Sequence, residues 1–211
     1  MQKFALRESK IDLDTKTNGN KTISDWYNFC RDVCREALLL TGENVIGGEG
    51  KTVEIDESAF GKRKYHRGRL RKTQWVFGGI ERESNKVFLV PVKDRKRWTL
   101  WTYIFKYIKP GTTIISDKWK AYVGLDGKNG YKHLTVNHSQ NFVDPITGAH
   151  TNRIEGSWFH LKRSFPKAGT RRTLFSNFFS VFLWKRAYGN TTNAFKTFLE
   201  HASLVFNPNE N

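Results

Sequence analysis

Val53-Glu54-Ile55-Asp56-Glu57-Ser58 alternates apolar and polar residues and delivers a carboxylate, Asp56, at the end of a β-branched run. Alternation with a period of two predicts a strand. It places Glu54 and Asp56 on one side of that strand and Glu57 on the other. A second strand-like run, Ile114-Ile115-Ser116-Asp117, ends in the same way. A third carboxylate, Glu155, lies in a helical pattern 38 residues after Asp117. Two strand-borne aspartates and one helix-borne glutamate, in a strongly basic chain, suggest a metal site that cuts or joins nucleic acid.

Working outward, residues 51–60 predict the first strand and residues 61–72 a basic loop. Residues 73–82 and 86–92 predict two more strands joined by the turn Glu83-Ser84-Asn85, giving a three-stranded antiparallel meander. Trp98, Trp101, Ile104, Phe105 and Ile108 mark a helix over 94–108, which Pro110-Gly111 stops. A short buried strand over 112–116, a short helix over 118–124 and a fifth strand over 131–136 follow. Residues 139–150 form a loop. Helices are predicted over 151–165, 174–188 and 192–204, with Pro166 ending the first. On the N-terminal side, Trp26, Phe29, Cys30, Val33, Cys34, Ala37 and Leu38 repeat at three and four, with Ser24 as the N-cap of a helix over 24–40.

The expected organisation is an N-terminal arm (1–22), a helix and glycine-rich joint (23–50), a catalytic domain (51–190), and a C-terminal helix and tail (191–211). The order βββ-α-β-α-β-α gives an α/β class: a mixed five-stranded sheet flanked by helices, in the ribonuclease H-like topology, with a short N-terminal helical segment.

The charge balance narrows the function. Thirty-six basic residues face 20 acidic ones, a net charge of +16 over 211 residues. A surplus of that size predicts a polyanionic partner. No apolar run approaches the roughly 20 residues of a membrane span, and the first ten residues lack the apolar segment of a secretion signal. Nucleus in a eukaryotic host, cytoplasm otherwise, and no secretion are the expected locations. Cys30 and Cys34 are the only cysteines, too few for a zinc site. Their spacing of four puts both on one helix face as small apolar residues.

The chemistry follows from the carboxylates. Phosphodiester cleavage by two divalent metals needs several carboxylates at one point: one metal activates the attacking oxygen, the other stabilises the leaving one. Strand ends hold an aspartate rigidly at a sheet edge. The first and fourth strands of a ribonuclease H-like sheet are neighbours, which would set Asp56 beside Asp117. On the helix over 151–165, Ile154, Trp158, Leu161 and Phe165 form one apolar stripe, with Glu155 and Lys162 about a quarter turn away. Glu155 can then approach the metals and Lys162 a phosphate. From the helix alone, a solvated polar face accounts for Glu155 and Lys162 equally well. Glu54 and Glu57 read as solvated or structural rather than as ligands.

Lys62, Arg63, Lys64, Arg67, Arg69, Arg71 and Lys72 leave the first strand as a basic loop able to meet phosphates, with Tyr65 and His66 available to stack. A solvated hairpin tip or a nuclear-targeting cluster fits the same residues. His138 and His150 frame the loop before the helix that carries Glu155. Bare histidines are more often structural than functional, but this location makes both candidate substrate contacts. Trp158, Phe178, Phe179, Phe182 and Trp184 read as core.

The runs VEIDESAFGKRKYHRGR, QWVFGGIER, FLVPVKDR, PGTTIISDKWKAY, HLTVNHSQNFVDPITGAHTNRIEGSWFHLKR and FLWKR resemble the catalytic domain of Merlin-type DDE transposases and are similar to related bacterial insertion-sequence transposases. The resemblance covers residues 24–187. It implies a ribonuclease H-like fold, a site using two Mg²⁺ or Mn²⁺ ions, terminal inverted repeats and target DNA as substrates, and action as a homo-oligomer. It also implies that Asp56, Asp117 and Glu155 are the catalytic metal ligands, with Lys162 as the basic residue that follows. Some bacterial relatives use Asn as the third ligand, and Asn152 stands one turn before Glu155. Glu155 is preferred because a third negative charge helps hold two dications, which leaves Asn152 as a partner that supports the ligands or as a DNA contact.

Members of that family carry a DNA-binding region ahead of the catalytic core, whereas 55 residues precede Asp56 here. The chain therefore reads as a truncated copy or a catalytic fragment. The expected function is DNA cleavage at transposon ends followed by joining of the 3′-OH to target DNA. The rival is a truncated or domesticated, transposase-derived DNA-binding protein without catalysis.

Overall fold

The structure is a computed structural model, and it describes residues 19–60, 73–137, 143–165 and 172–206. Two compact units emerge. One comprises residues 42–179; the other joins residues 19–41 to residues 180–206.

The first unit is built on a five-stranded sheet. Strands β2 (Thr52–Phe60), β3 (Gln74–Glu81) and β4 (Val87–Val92) form the expected antiparallel meander. β6 (Thr113–Asp117) and β7 (Lys132–Val136) add to the other side of β2 in parallel. The order β4-β3-β2-β6-β7, with the first strand of the meander central and parallel to the fourth, is the ribonuclease H-like arrangement. Val53, Ile55, Phe77, Val90 and Ile114 enter one core with Leu100 and Ile104 of helix α2 (Arg97–Tyr107). Helix α3 (Asn152–Ser164) packs on β2 and β3. Beyond it, Phe60, Phe165, Phe175 and Phe179 meet edge to face or tilted, with centroids 4.7–6.1 Å apart, a geometry that favours ring quadrupoles.

Local structure departs from the sequence expectation in several places. α2 starts at Arg97 rather than residue 94, because Asp94 Oδ1 accepts from the Lys96 N–H and the Thr99 hydroxyl in a turn ahead of the helix. Residues 118–124 hold only a 3₁₀ turn, Lys120–Tyr122. Two short strands went unpredicted: β1 (Ile46–Gly47) and β5 (Ile108–Lys109), paired in parallel. Gly47 has a φ of 83° and its missing Cβ would stand 2.4 Å from Thr112 Oγ1, so the glycine run there is a fitted turn, not slack chain. Its N–H donates to Glu81 Oε2 at 2.7 Å.

In the second unit, helix α1 spans Gly19–Leu40, so residues 19–22 are helical rather than part of an arm and Ser24 lies inside the helix, not at its cap. α1 packs on α5 (Ala194–Val205), and Phe29 stacks on Phe206. Cys34 is fully buried, and burial pushes its thiol up to about 12, as expected of an inert apolar cysteine. Helix α4 (Phe175–Tyr188) begins in the first unit and ends in this one, where Trp184 Nε1 donates to His201 Nδ1 at 3.0 Å. Among the described residues no helix is long and apolar enough to cross a membrane.

Candidate active site

Alternation along β2 sends Glu54, Asp56, Ser58 and Phe60 to the face covered by α3. One helical turn rises about 5.4 Å and two strand residues span about 6.8 Å, so turns of α3 meet alternate residues of β2 as the two run in the same direction. At the first turn, the backbone N–H groups of Arg153 and Ile154 donate to Glu54 Oε2 at 2.9 and 3.1 Å. At the next, Trp158 Nε1 donates to Asp56 Oδ2 at 2.9 Å. At the third, Lys162 Nζ lies 5.5 Å from the Phe60 ring centroid.

Glu54 is the anchor of this arrangement. Its side chain has no solvent exposure, and its Oε1 accepts from Arg82 Nε at 2.7 Å. Arg82 Nη2 also donates to the His150 carbonyl at 2.7 Å, and His150 Nδ1 sits 3.4 Å from Glu54 Oε1. A buried carboxylate is tolerable when it is ion-paired and hydrogen-bonded on both oxygens, and the positive end of α3 adds to that. Glu54 is thus structural, as expected, but buried rather than solvated.

Trp158 reaches Asp56 because of a glycine. Gly78 is the register partner of Asp56 on β3. A Cβ there would stand 2.8 Å from Trp158 Cη2 and 2.9 Å from Leu89 Cδ2. The indole therefore lies on bare backbone beside the aspartate. The Gly78-Gly79 pair inside a predicted strand was the signal that could have revealed this close approach.

Asp56 and Asp117 come near one another. β2 and β6 are parallel and pair from Thr52 opposite Thr113 to Glu54 opposite Ile115; Asp56 and Asp117 each lie two residues beyond the last pair, and Asp117 acts electrostatically on Asp56. Asp117 Oδ1 accepts from the Trp119 N–H at 2.9 Å. Burial raises the Asp56 carboxyl to about 6; the Glu57 N–H and the Trp158 indole oppose that rise, while Asp117 and Glu155 add to it. Glu155 is exposed on α3, with Oε1 accepting from the Thr151 hydroxyl at 3.0 Å. Among the described residues, no three carboxylates, histidines or cysteines converge closely enough to hold a metal ion as the side chains are placed.

Glu57 points to the opposite face, as the alternation predicts. The fully buried Tyr122 hydroxyl donates to its Oε1. Burial raises Glu57 to about 7; the Tyr122 bond opposes this, Asp56 and Asp117 add to it, and Arg95 draws it back.

Of the residues expected to meet DNA, Asn152 is the exposed first residue of α3, Lys162 is exposed two turns beyond Glu155, and His150 is half-buried beside Glu54. Lys62, Arg63, Lys64, Arg67, Arg69 and His138 lie outside the described residues. Trp158 is core, as expected, and its hydrogen bond to Asp56 was not foreseen.

Residues 45–179, more than half of the chain, match the ISXO2-like transposase domain. The chain belongs to the ISXO2-like transposase family. All three carboxylates fall within the matched family segment. An uncharacterized transposase-like protein of Haemophilus influenzae is 30% identical over 82 residues, covering 39% of this chain and 64% of that relative's length. Two solved structures are similar at low identity. One is a simian T-cell lymphotropic virus intasome in complex with a PP2A regulatory subunit (16% identity, TM-score 0.43, 67% of this chain and 50% of the other). The second is the HTLV-2 integrase catalytic core domain in complex with magnesium, in a dimeric form (12% identity, TM-score 0.42, 67% and 88%).

Proposed function

We propose that this member of the family is a DDE transposase of the Merlin-related branch, which cuts DNA at transposon ends and joins the freed 3′-OH to target DNA. The observation that carries this is that Asp56, in the middle of β2, lies beside the end of the parallel strand β6, with Asp117 and Glu155 both close enough to raise its proton affinity. A surplus of +16 supplies the attraction to DNA.

The donor chemistry fits hard divalent cations. Asp56, Asp117 and Glu155 offer only carboxylate oxygens, the ligands Mg²⁺ and Mn²⁺ prefer, and Asp56 sits in a buried, anion-rich spot that positive charge would relieve. Two such ions, held by these three side chains, would supply activation of the attacking oxygen and stabilisation of the leaving oxygen. The protein's own part is positional. Trp158 and the Glu57 N–H orient the Asp56 carboxylate, the Trp119 N–H orients Asp117, and Glu54 fixes the start of the helix that presents Glu155. Lys162 and Asn152, exposed on that helix, lie where the DNA backbone would pass. Action as a homo-oligomer on terminal inverted repeats and target DNA belongs to the same proposal.

The test is an incubation of the protein with labelled duplex carrying a transposon-end repeat and Mn²⁺. Nicking at the repeat boundary that disappears in Asp117→Ala is the expected result. No nicking, or nicking that Asp117→Ala leaves unchanged, overturns the enzyme and leaves a DNA-binding protein.

A further inference from the structure

On the α2 side of the same sheet edge, the Arg95 guanidinium lies between two indoles. Its Cζ is 3.9 Å from the Trp75 ring centroid and 4.7 Å from that of Trp119. Trp119 Nε1 donates to the Arg95 carbonyl at 3.2 Å, while the Trp119 backbone N–H donates to Asp117 Oδ1. One residue thus ties Arg95 to a proposed metal ligand. Trp75 pairs with Ala59, two residues beyond Glu57 on β2 and on the same face, and Arg95 acts electrostatically on Glu57.

Among the described residues, no carboxylate lies within ion-pair distance of the Arg95 side chain, and its N–H groups make no hydrogen bond. Its faces are covered by aromatic rings, and its in-plane donors are left over. A purely structural arginine in a half-buried position would spend those donors on a carboxylate or on carbonyls, since unpaired polar groups there are costly. Stacking on two indoles instead stabilises the cation, holds its plane and leaves the edge open for a bidentate oxyanion. The basic side chains singled out in the sequence do not include it.

We propose that Arg95, held between Trp75 and Trp119, grips a non-reacting backbone phosphate of the DNA strand next to the phosphate at Asp56 and Asp117. This rests on the transposase proposal for the choice of ligand, but its test does not require cutting.

Binding of a labelled repeat-end duplex is measured in EDTA over a range of salt for wild type, Arg95→Gln and Arg95→Lys. The same duplex is also used with single neutral methylphosphonates stepped along one strand. Loss of one phosphate contact should reduce the slope of log K against log salt by about 0.9. Arg95→Gln, which keeps a planar group between the rings, is expected to show that smaller slope and about tenfold weaker binding. Wild type is expected to lose affinity at one methylphosphonate position beside the cut, and Arg95→Gln to be indifferent to that position. If Arg95→Gln does not fold, as judged by circular dichroism, Arg95→Lys is read in its place. It keeps the charge, so the slope should hold, but an ammonium cannot make the two-pronged contact, so binding should weaken and the loss at that methylphosphonate position should shrink. A folded variant with unchanged slope and an unchanged methylphosphonate pattern overturns the clamp. Wild type that binds in this pattern but never nicks with Mn²⁺ overturns the transposase proposal and leaves the clamp standing.

Discussion

The indole N–H of Trp158 donates to Asp56 Oδ2 at 2.9 Å, across 102 residues of sequence. This bond couples the helix that carries Glu155 to the strand that carries Asp56. It also opposes the rise that burial imposes on the Asp56 carboxyl. Trp158→Phe keeps the ring and removes the donor. The fold should persist, and the Asp56 carboxyl should titrate higher. A hydrogen bond to a charged group contributes roughly 1.5–3 kcal/mol, so Mn²⁺-dependent nicking should fall by about tenfold or more at neutral pH. The acid limb of its pH profile should move to higher pH. An unchanged profile would show that the indole only fills space.

Gly78 makes room for that indole. In Gly78→Ala the new methyl meets Trp158 Cη2 and Leu89 Cδ2 well inside contact distance. Overpacking of this kind costs about 1–3 kcal/mol, which a urea melt would detect. Because the displaced ring is the one holding Asp56, nicking should fall further than the stability loss alone explains at temperatures where the variant remains folded.

Glu54 should matter to stability more than to chemistry. Glu54→Gln leaves Arg82 without its buried counter-charge and takes charge from the start of α3. Breaking a buried pair on one side costs about 3–5 kcal/mol. Denaturant unfolding should show a loss of that order. Removing both charges together, in Glu54→Gln with Arg82→Met, should be less damaging than the single change. A single variant as stable as wild type would refute the anchor.

The two raised carboxyls set a pH dependence. Asp56 binds its proton more tightly folded, at about 6, than unfolded, near 3.8. Its contribution to stability is therefore present at low pH, declines as pH rises from about 4 to about 6, and stays lost above that. Glu57, raised from 4.5 to about 7, extends the decline to neutrality. Asp56→Asn should be no more stable than wild type at pH near 4 and more stable near pH 8, by roughly 2–3 kcal/mol from the size of the shift. Mg²⁺ or Mn²⁺ should raise the wild-type Tm near pH 8 and raise that of Asp56→Asn much less. Equal metal responses would count against Asp56 as a ligand without any assay of cutting.

The residues that supply the proposed chemistry were legible because their positions are local facts. Val53-Glu54-Ile55-Asp56 alternates, so the strand and the side of Asp56 follow from a period of two. Ile154, Trp158 and Leu161 repeat at three and four, so the buried stripe of α3 follows as well. Local pattern was a poorer guide where a side chain competes with the helix, as Asp94 does ahead of α2. It also missed β1 and β5, which are too short to carry a period.

By itself the sequence determined the five strands of the main sheet and the long helices, which face Glu54, Asp56 and Glu57 take, and that the molecule carries enough positive charge to seek a polyanion. Periodicity and composition encode those properties residue by residue. Only the tertiary structure decided that Glu54 caps α3, that Gly78 admits Trp158 to Asp56, that Arg95 is clasped by Trp75 and Trp119, and that α1 and α5 from opposite ends of the chain form one unit. Each of those depends on how one element lies on another. Trp158 and Asp56, 102 residues apart, are brought together by the match between helical rise and strand spacing; the local stretch shows that Gly78 lacks a Cβ, but not which side chain fills the space.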